Sequence, residues 1–596
     1  MQPKASNDFQ RTIARSRVLF TLLVLVVSIF VVKLFYMQVI RYSYYHTAAL
    51  SDQLAQHEIP ATRGLIEAHQ GNSIVPIVLN QTLYTMYADP TMIKNVSQVA
   101  GTLASVLGGN EATFAAKLQT KNTRYVVLAQ KVTQVQETAL LKPKYPGLGG
   151  LAQDYRTYPD GSLASQLLGF VNNNGKGEYG IEQYLNGTLA GTPGELKAVT
   201  DINGVPLAAD SSNTLVAPKD GSNVVLSINM GMQEQMEQIL QSEYQKTKSQ
   251  GISAIIMDPS TGKIASMANY PTYDPSNYSS VSDPTLFQNA AVTNAIEPGS
   301  TMKTLTTSAA LDTGSITPNE TFFDPAHWVV DNFNITDIEQ DGGARQQSIA
   351  SILALSLNTG ATWELMQMSQ LGGTTINDKG IQTWHDYMVN HYRLGQETGI
   401  EQGYEETGYV PPANMSSPAI SLTYAETSFG QGVTLTAVQL ASALSSVLNG
   451  GTYYQPSLVD ETISADGKTT TDAPKVLEKN VVSSKVGPEL VPLMQNVVTT
   501  YLHEGFGFMN FPSNFLVGGK TGTAQIAQPG GGYYANLYNG TYVGFVGGTV
   551  NKPQYVIVVY NIKPNVTGYA GSYGGQPVFA DLAHMLINDG YATPMS

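Results

Sequence analysis

Glu297-Pro298-Gly299-Ser300-Thr301-Met302-Lys303-Thr304-Leu305 begins with a chain-breaking Pro-Gly pair and runs into an Ala/Leu/Thr-rich stretch that stops near Gly314. Those are helix start and stop signals. They place Ser300 in a first helical turn with Lys303 three residues on, along the same face. A serine hydroxyl is a poor nucleophile until a neighbouring base takes its proton. A lysine serves as that base only if its pKa is depressed, by desolvation or by a second cation. The helix N-terminus adds positive potential and backbone N–H groups where an oxyanion would form. Taken alone, the pair reads more simply as a helix cap followed by a solvated lysine.

Two further strings change that weighting. Ser356-Leu357-Asn358 closes an apolar, helix-like run from Ile349, which Gly360 is expected to break. Ser356 is suited to relay a proton between a lysine and a leaving amine, and Asn358 to hold both Lys303 and a substrate amide. By itself this pair is an ordinary C-terminal cap. Lys520-Thr521-Gly522-Thr523 follows Phe515-Leu516-Val517-Gly518-Gly519. Small residues at 518, 519 and 522 suit a strand that another chain approaches closely, as a peptide substrate would. Lys520 is a candidate second cation for Lys303, and Lys520, Thr521 and Thr523 are suited to a carboxylate. A nucleotide-binding P-loop would need glycine at 514, where the chain has Asn514, so that reading fails. Each string is weak alone. Their order, with starts 56 and 164 residues apart, carries the weight.

Ser-x-x-Lys, Ser-x-Asn and Lys-Thr-Gly in this order resemble the active-site motifs of the class B penicillin-binding proteins, the monofunctional peptidoglycan transpeptidases. The resemblance covers nearly the whole chain. Arg63-Gly64-Leu65-Ile66 looks like the start of the family's extracytoplasmic region. Arg156-Thr157-Tyr158-Pro159-Asp160-Gly161, Gly169-Phe170, Gly180-Ile181-Glu182 and Leu189-Ala190-Gly191-Thr192-Pro193-Gly194 look like its pedestal motifs. Asp258-Pro259-Ser260-Thr261-Gly262-Lys263-Ile264 looks like the hairpin opening the catalytic domain. Gly430-Gln431-Gly432, Val543-Gly544-Phe545 and Tyr573-Gly574-Gly575 continue the series. Tyr87-Ala88-Asp89-Pro90 and the compact run from Gly169 to Gly194 favour the division (FtsI-like) branch over the elongation branch.

The chain departs from the pattern at three places. Gln288-Asn289-Ala290 stands where Asn-Arg-Ala is usual, so a structural or pedestal contact is in doubt rather than the chemistry. Asn229 replaces a common Asp, and Glu67-Ala68-His69-Gln70-Gly71 replaces Asp-Arg-x-Gly.

Composition agrees. The 596 residues suggest two or more domains with a large core. A net charge of −14 with only 13% charged residues makes nucleic acid an unsuitable partner. There is no cysteine, and eight scattered histidines show no metal-ligand spacing, so neither a metal nor another cofactor is expected.

Residues 1–17 are polar and carry Lys4, Arg11, Arg15 and Arg17, so they read as a cytoplasmic tail. Val18 to Ile40 is apolar apart from Thr21, Ser28, Lys33 and Gln38. As a helix it would span roughly 34 Å, enough for a bilayer core of about 30 Å. Tyr36, Tyr42, Tyr44 and Tyr45 resemble an outer interfacial belt. A cleavable signal peptide is the competing reading, with Thr47-Ala48-Ala49 as its site, but the bulky residues just before it favour an uncleaved anchor. The expectation is a single-pass protein of a bacterial cell membrane with its catalytic domain outside. Lys33 is read as snorkelling to a headgroup, with contact to a partner membrane protein as the alternative.

Residues 41–215 read as a pedestal, with helical stretches near Thr102–Leu107 and Glu111–Leu118, and 216–596 as the transpeptidase domain. In the latter, Val224–Ile228, Ser253–Met257, Lys263–Met267, Tyr542–Val546 and Gln554–Ile562 read as strands. Met232 to about Tyr244 and Pro577 to Ile587 read as helices. The expected class is α+β: an antiparallel sheet flanked by helices, on an elongated N-terminal pedestal. The Gly530-Gly531-Gly532-Tyr533-Tyr534-Ala535 run is read as a loop lining the substrate groove.

The resemblance implies two-step acyl transfer. Ser300, deprotonated by Lys303, would attack the penultimate D-Ala carbonyl of a stem peptide, with the backbone N–H groups of Ser300 and Thr523 as oxyanion hole. Lys520, Thr521, Gly522 and Thr523 would line the carboxylate side of the site. β-Lactams would acylate Ser300 and stay. Implied partners are a SEDS-family glycan polymerase and other division proteins. A D,D-carboxypeptidase or β-lactamase, a β-lactam sensor and a catalytically idle scaffold are the rival readings.

Overall fold

The computed structural model describes residues 6–45, 54–199, 214–337 and 343–595, so Thr47-Ala48-Ala49 lies outside the described residues. The chain forms two compact units, one of residues 1–62 with 191–220 and one of 63–190 with 221–596.

In the first unit, helix α1 (Ser6–Phe35) continues as a π-helical turn over Tyr36–Ile40. The stretch Ile13–Ile40 is long and apolar enough to cross a membrane. At its end the Arg41 guanidinium lies over the rings of Tyr36 and Tyr44. A cation held among tyrosines suits a bilayer interface. The unit's sheet has three antiparallel strands in the order Leu54–Ile59, Gly194–Val199, Thr214–Val216.

In the second unit, Ile66–Gln70, Ser73–Ala88, Val126–Val132 and Leu148–Thr157 form a seven-stranded sheet with Asn223–Asn229, Val459–Ile463 and Thr469–Thr471, Asn223–Asn229 running parallel to Ile66–Gln70. Helices Val96–Leu107 and Glu111–Leu118 close a small core of their own around Met86, Leu103 and Leu128. Two of the pedestal motifs and the Arg63 entry motif converge on one carboxylate. Glu182 is wholly buried and accepts from Arg63 and from Arg156 Nε, the latter at 2.7 Å. Asn80 accepts a further bond from Arg156 at 2.8 Å. Removing Glu182 would leave two cations facing each other in a dry site, the costly way to break a buried pair.

Helix α2 (Met230–Thr247) opens the larger core. Asn229, the departure from the usual Asp, is its N-cap and accepts from the Met232 N–H; Asn and Asp cap equally well. Strands β1 (Gly251–Met257) and β2 (Ile264–Tyr270) form the expected hairpin. Helix α3 (Lys303–Asp312) follows the nucleophile turn. A short hairpin, β3 (His327–Val330) and β4 (Phe333–Thr336), precedes helix α4 (Asn358–Ser369). Helices α5 (Ala437–Leu448) and α6 (Val486–His503) come next, and then β5 (Val517–Ala527), β6 (Tyr533–Thr549), β7 (Lys552–Ile562) and helix α7 (Gln576–Asn588). The sheet order is β2-β1-β7-β6-β5, antiparallel throughout.

Strand β1 reads as a continuous apolar run, Ile252-Ser253-Ala254-Ile255-Ile256-Met257, buried on both faces. Helices therefore cover both sides of the sheet. Helix α5 lies against it with every residue buried, its polar Gln439, Ser442, Ser445 and Ser446 included.

Two local expectations differ. Ser300 sits in a 3-10 turn, Gly299–Met302, just ahead of α3 rather than inside it. Gly360 does not end a helix. The break falls at Ser356, which adopts a left-handed φ of 59°, between a helix over Ile349–Ala354 and α4. Gly360 lies inside α4, where a Cβ would stand 2.7 Å from Ile352 Cγ1. Its smallness lets two helices touch.

Candidate active site

The three motifs meet in one cleft, lined by Ser300, Leu355, Ser356, Tyr501, Thr521 and Thr523 among others. The nucleophile turn is braced from below. Gly299 donates its N–H to the Gly430 carbonyl at 3.1 Å. The Thr541 hydroxyl on β6 donates to the Pro298 carbonyl at 2.7 Å, and Thr301 donates to the same oxygen at 2.8 Å. A Cβ on Gly430, whose φ is 89°, would lie 1.9 Å from the Gly299 carbonyl oxygen. Only glycine meets both demands there.

Lys303 is fully buried. Its Nζ lies 3.0 Å from Ser300 Oγ, 2.5 Å from the Ser356 carbonyl, 2.8 Å from Asn358 Oδ1 and 3.3 Å from Ser356 Oγ. A neutral amine has two N–H donors and one lone pair. The three shortest contacts match that inventory, with the carbonyl and the amide oxygen accepting and the Ser300 hydroxyl donating. Burial pushes the Lys303 pKa well down and the Lys520 ammonium pushes it further, while Asp337 and Glu364 oppose both. The strained Ser356 backbone turns both its carbonyl and its hydroxyl toward Lys303.

Lys520 is also fully buried on β5 and donates to the Thr521 carbonyl at 3.0 Å. The Thr521 hydroxyl is 2.8 Å from the Tyr501 hydroxyl of α6. Thr523 Oγ1 accepts the Gly571 N–H at 2.9 Å, and its backbone lies against Gly299. Gly522 packs closely against the nucleophile turn. A Cβ there would lie 2.2 Å from Thr541 Oγ1 and 2.5 Å from the Pro298 carbonyl. Likewise the missing Cβ atoms of Gly518 and Gly519 point at the rings of Phe545 and Tyr542. On the faces of β5 these glycines admit interior side chains and the nucleophile turn, while β5 itself stands at the end of the sheet order.

The glycine-rich run after the third motif is a hairpin end, Gln528 to Gly532, between β5 and β6. The cleft is lined by other residues. Tyr533 donates to Glu297 at 3.0 Å and so ties this arm to the segment leading into Ser300. Sequence reasoning missed Tyr501, Glu504, Tyr569 and Ser572, all of which line the cleft. No motif marks them, because their elements reach the site only through the fold. An aromatic at the apolar end of α6 was the one available hint for Tyr501.

The folded core thus defines a class: an antiparallel sheet with a buried Ser–Lys pair at its edge. Residues 252–584 match the family model of the penicillin binding protein transpeptidase domain, and residues 58–226 match the penicillin-binding protein dimerisation domain. The chain belongs to the penicillin-binding protein transpeptidase family, in the class B form that carries both domains. It is 29% identical over 576 residues to Stage V sporulation protein D of Bacillus subtilis, covering 95% of this chain and 85% of that protein. It is 25% identical over 534 residues to peptidoglycan D,D-transpeptidase FtsI of Escherichia coli, covering 88% and 83%. Among solved structures, penicillin binding protein 2X of Streptococcus thermophilus has the same fold, with a TM-score of 0.72 at 24% identity over 90% of this chain and 80% of that one. Penicillin binding protein 3 of Mycobacterium tuberculosis, solved with aztreonam, gives a TM-score of 0.66 at 23% identity over 91% and 98%.

Proposed function

We propose that this protein is a membrane-anchored peptidoglycan D,D-transpeptidase working through a Ser300 acyl-enzyme, in septal wall synthesis as the FtsI-named relatives suggest. The observation that carries the reading is the buried Lys303 amine, 3.0 Å from Ser300 Oγ and wired to Ser356 and Asn358.

Ser300 Oγ attacks the penultimate D-Ala carbonyl and forms the ester C–O bond while its proton moves to Lys303 Nζ. The oxyanion rests on the backbone N–H groups of Ser300 and Thr523. Collapse breaks the C–N bond. The proton passes by way of Ser356 to the departing amine, and D-Ala leaves. Lys520, Thr521 and Thr523 hold its carboxylate, and Asn358 the substrate amide. An amine of a second stem peptide then attacks the ester, gives its proton back through Lys303 to Ser300, and completes the crosslink. A β-lactam opens onto Ser300 in the same first step. Its ring-opened amine stays tethered and blocks the second.

Residues 1–17 are read as cytoplasmic, 18–40 as the span, 41–215 as pedestal and 216–596 as the extracytoplasmic transpeptidase. A SEDS-family polymerase and other division proteins are the proposed partners. Loss of polymerase co-purification on Lys33→Leu, with insertion intact, would place one such contact in the span.

The test uses the full-length chain in detergent with benzylpenicillin and intact mass read over time. A persistent single-drug adduct is expected, together with D-Ala release and a crosslinked amide when stem pentapeptide and an acceptor amine are supplied. Rapid adduct loss with drug hydrolysis would make it a hydrolase, and a stable adduct without any peptide turnover would make it a sensor. No adduct and no turnover would leave an idle scaffold.

Tyr501→Phe tests the carboxylate side. It removes the hydroxyl 2.8 Å from Thr521 Oγ1 and leaves the ring. A neutral hydrogen bond contributes about 1 kcal/mol, so if it is made fully in the transition state the second-order acylation rate falls about fivefold, with a melting temperature lowered by no more than about 2 °C. An unchanged rate would show that Thr521 needs no support from α6.

A further inference from the structure

Helix α4 begins at Asn358, but Leu357 in the N-cap position offers it no side-chain cap. The cap comes from another strand. Asp337, just past β4, accepts from the Thr359 backbone N–H at 3.1 Å and from the Thr359 hydroxyl at 2.8 Å. One residue earlier, the Thr336 carbonyl accepts from Asn358 Nδ2 at 3.1 Å. Trp328 of β3 donates to the Thr359 carbonyl at 3.0 Å. The Asn358 amide is therefore tied at both ends, one Nδ2 N–H to the β3–β4 hairpin and Oδ1 to Lys303, with its second N–H left over for a substrate amide.

Charge makes a second link. Lys303 faces Lys520 from β5, Asp337 from the end of β4 and Glu364 from within α4. Glu364 is wholly buried, takes the Thr307 hydroxyl at 2.9 Å, and is pushed up to about 8 by burial. It is mostly protonated at neutral pH and supplies little negative charge. Burial raises the Asp337 pKa above its ordinary value, and the two Thr359 bonds and Lys303 oppose that rise. Hydrogen bonds donated to a carboxylate favour its ionised form.

We propose that Asp337 is a positioning residue for acyl transfer: it caps the helix that presents Asn358 to Lys303 and supplies the negative charge that keeps Lys303 basic enough to take the Ser300 proton. The proposal rests on the acyl-enzyme reading above. It assigns the β3–β4 hairpin, which carries none of the three motifs, a part in the chemistry. A base must be depressed far enough to be neutral yet remain a proton acceptor. Lys520 and burial provide the first requirement and Asp337 the second.

Asp337→Asn keeps an acceptor for the Thr359 N–H but removes the charge, and Asp337→Ala removes both. The rate of benzylpenicillin acylation by the full-length chain in detergent is measured across pH, with melting curves for each variant. Without the carboxylate Lys303 loses its proton at lower pH, so the acid limb of the Asp337→Asn profile should move down by about one pH unit. Its plateau should stay within tenfold of wild type. Asp337→Ala should show the same shift and a plateau about 100-fold lower, since Asn358 loses its register. An Asp337→Asn profile with the wild-type limb overturns the proposal, as does an equal loss in both variants with no shift. Should Asp337→Ala fail to fold, the Asp337→Asn limb decides. A wild type that does not acylate removes the acyl-enzyme reading itself. A wild type that acylates beside an unshifted Asp337→Asn removes only the positioning role of Asp337.

Discussion

Ser300→Ala should abolish covalent capture of benzylpenicillin, with less than one ten-thousandth of the wild-type rate remaining, while the fold survives intact. The argument is one of inventory. Ser300 is only 6% exposed, and the contact its hydroxyl makes is to Lys303 Nζ at 3.0 Å. Deleting it forfeits one hydrogen bond, about 1 kcal/mol, and opens a space next to a cleft that water already reaches. The turn itself is held by Gly430, Thr541 and Thr301 through backbone groups that the substitution leaves alone. The melting temperature should therefore stay within about 2 °C. Lys520, Thr521 and Thr523 remain to bind the ligand's carboxylate. Penicillin should still associate reversibly and protect the protein against heat. Intact mass and a thermal-shift titration separate the two effects. An adduct on Ser300→Ala at the wild-type rate would move the nucleophile elsewhere. Loss of reversible binding along with the adduct would place the carboxylate site somewhere other than β5.

Short-range chemistry was the legible part of this site. Ser300 and Lys303 share a turn, Ser356 and Asn358 flank one residue, and Lys520 to Thr523 run along one strand, so local spacing was enough to find them. Lys520 as a second cation was also legible, because a base lysine must be depressed by desolvation or by a neighbouring cation. The rest depends on distances the sequence does not encode. Asp337 and Thr359 are 22 residues apart, yet the carboxylate caps α4 because the end of the β3–β4 hairpin lies against that helix's first turn. Tyr501 reaches Thr521 only because α6 packs beneath β5. Glycines were the least reliable guide. Gly360 was expected to stop a helix, since glycine in a helix interior costs about 1 kcal/mol. It sits inside α4 because Ile352 occupies the space a Cβ would need. Gly518, Gly519 and Gly522 fit a strand that something approaches closely, and what approaches its faces is Phe545, Tyr542 and the Pro298 turn. The strand and helix centres of the core were placed correctly, and their ends ran longer: Tyr542–Val546 is the buried middle of Tyr533–Thr549.

Lys303→Met should separate catalysis from stability. Methionine matches the length of lysine without its charge or its basicity. General-base removal should lower acylation by Ser300 about 10³- to 10⁴-fold. The pH profile identifies the cause. Burial and Lys520 depress the Lys303 pKa in the folded protein, so the wild-type rate should rise as pH climbs through that lowered value. The residual rate of Lys303→Met should lack this limb. Wild-type stability moves in the same direction with pH. Unfolded, Lys303 binds a proton up to about pH 10.4; folded, it gives that proton up much earlier. Between the two values the unfolded state holds more protons, so wild-type stability rises with pH across that window. Below the folded value the full penalty for burying the ammonium is present. Lys303→Met has no such penalty, although the Ser356 carbonyl and Asn358 Oδ1 lose their donor, at about 1–3 kcal/mol each where water does not replace it. The sign of the net change at pH 7 depends on that water, but its pH dependence does not. The melting temperature of Lys303→Met relative to wild type should be highest in acid and fall steadily toward pH 10. A difference that stays flat with pH would mean that Lys303 keeps an ordinary proton affinity in the folded protein. An amine of that kind could not take the Ser300 proton at neutral pH, and another base would have to be sought.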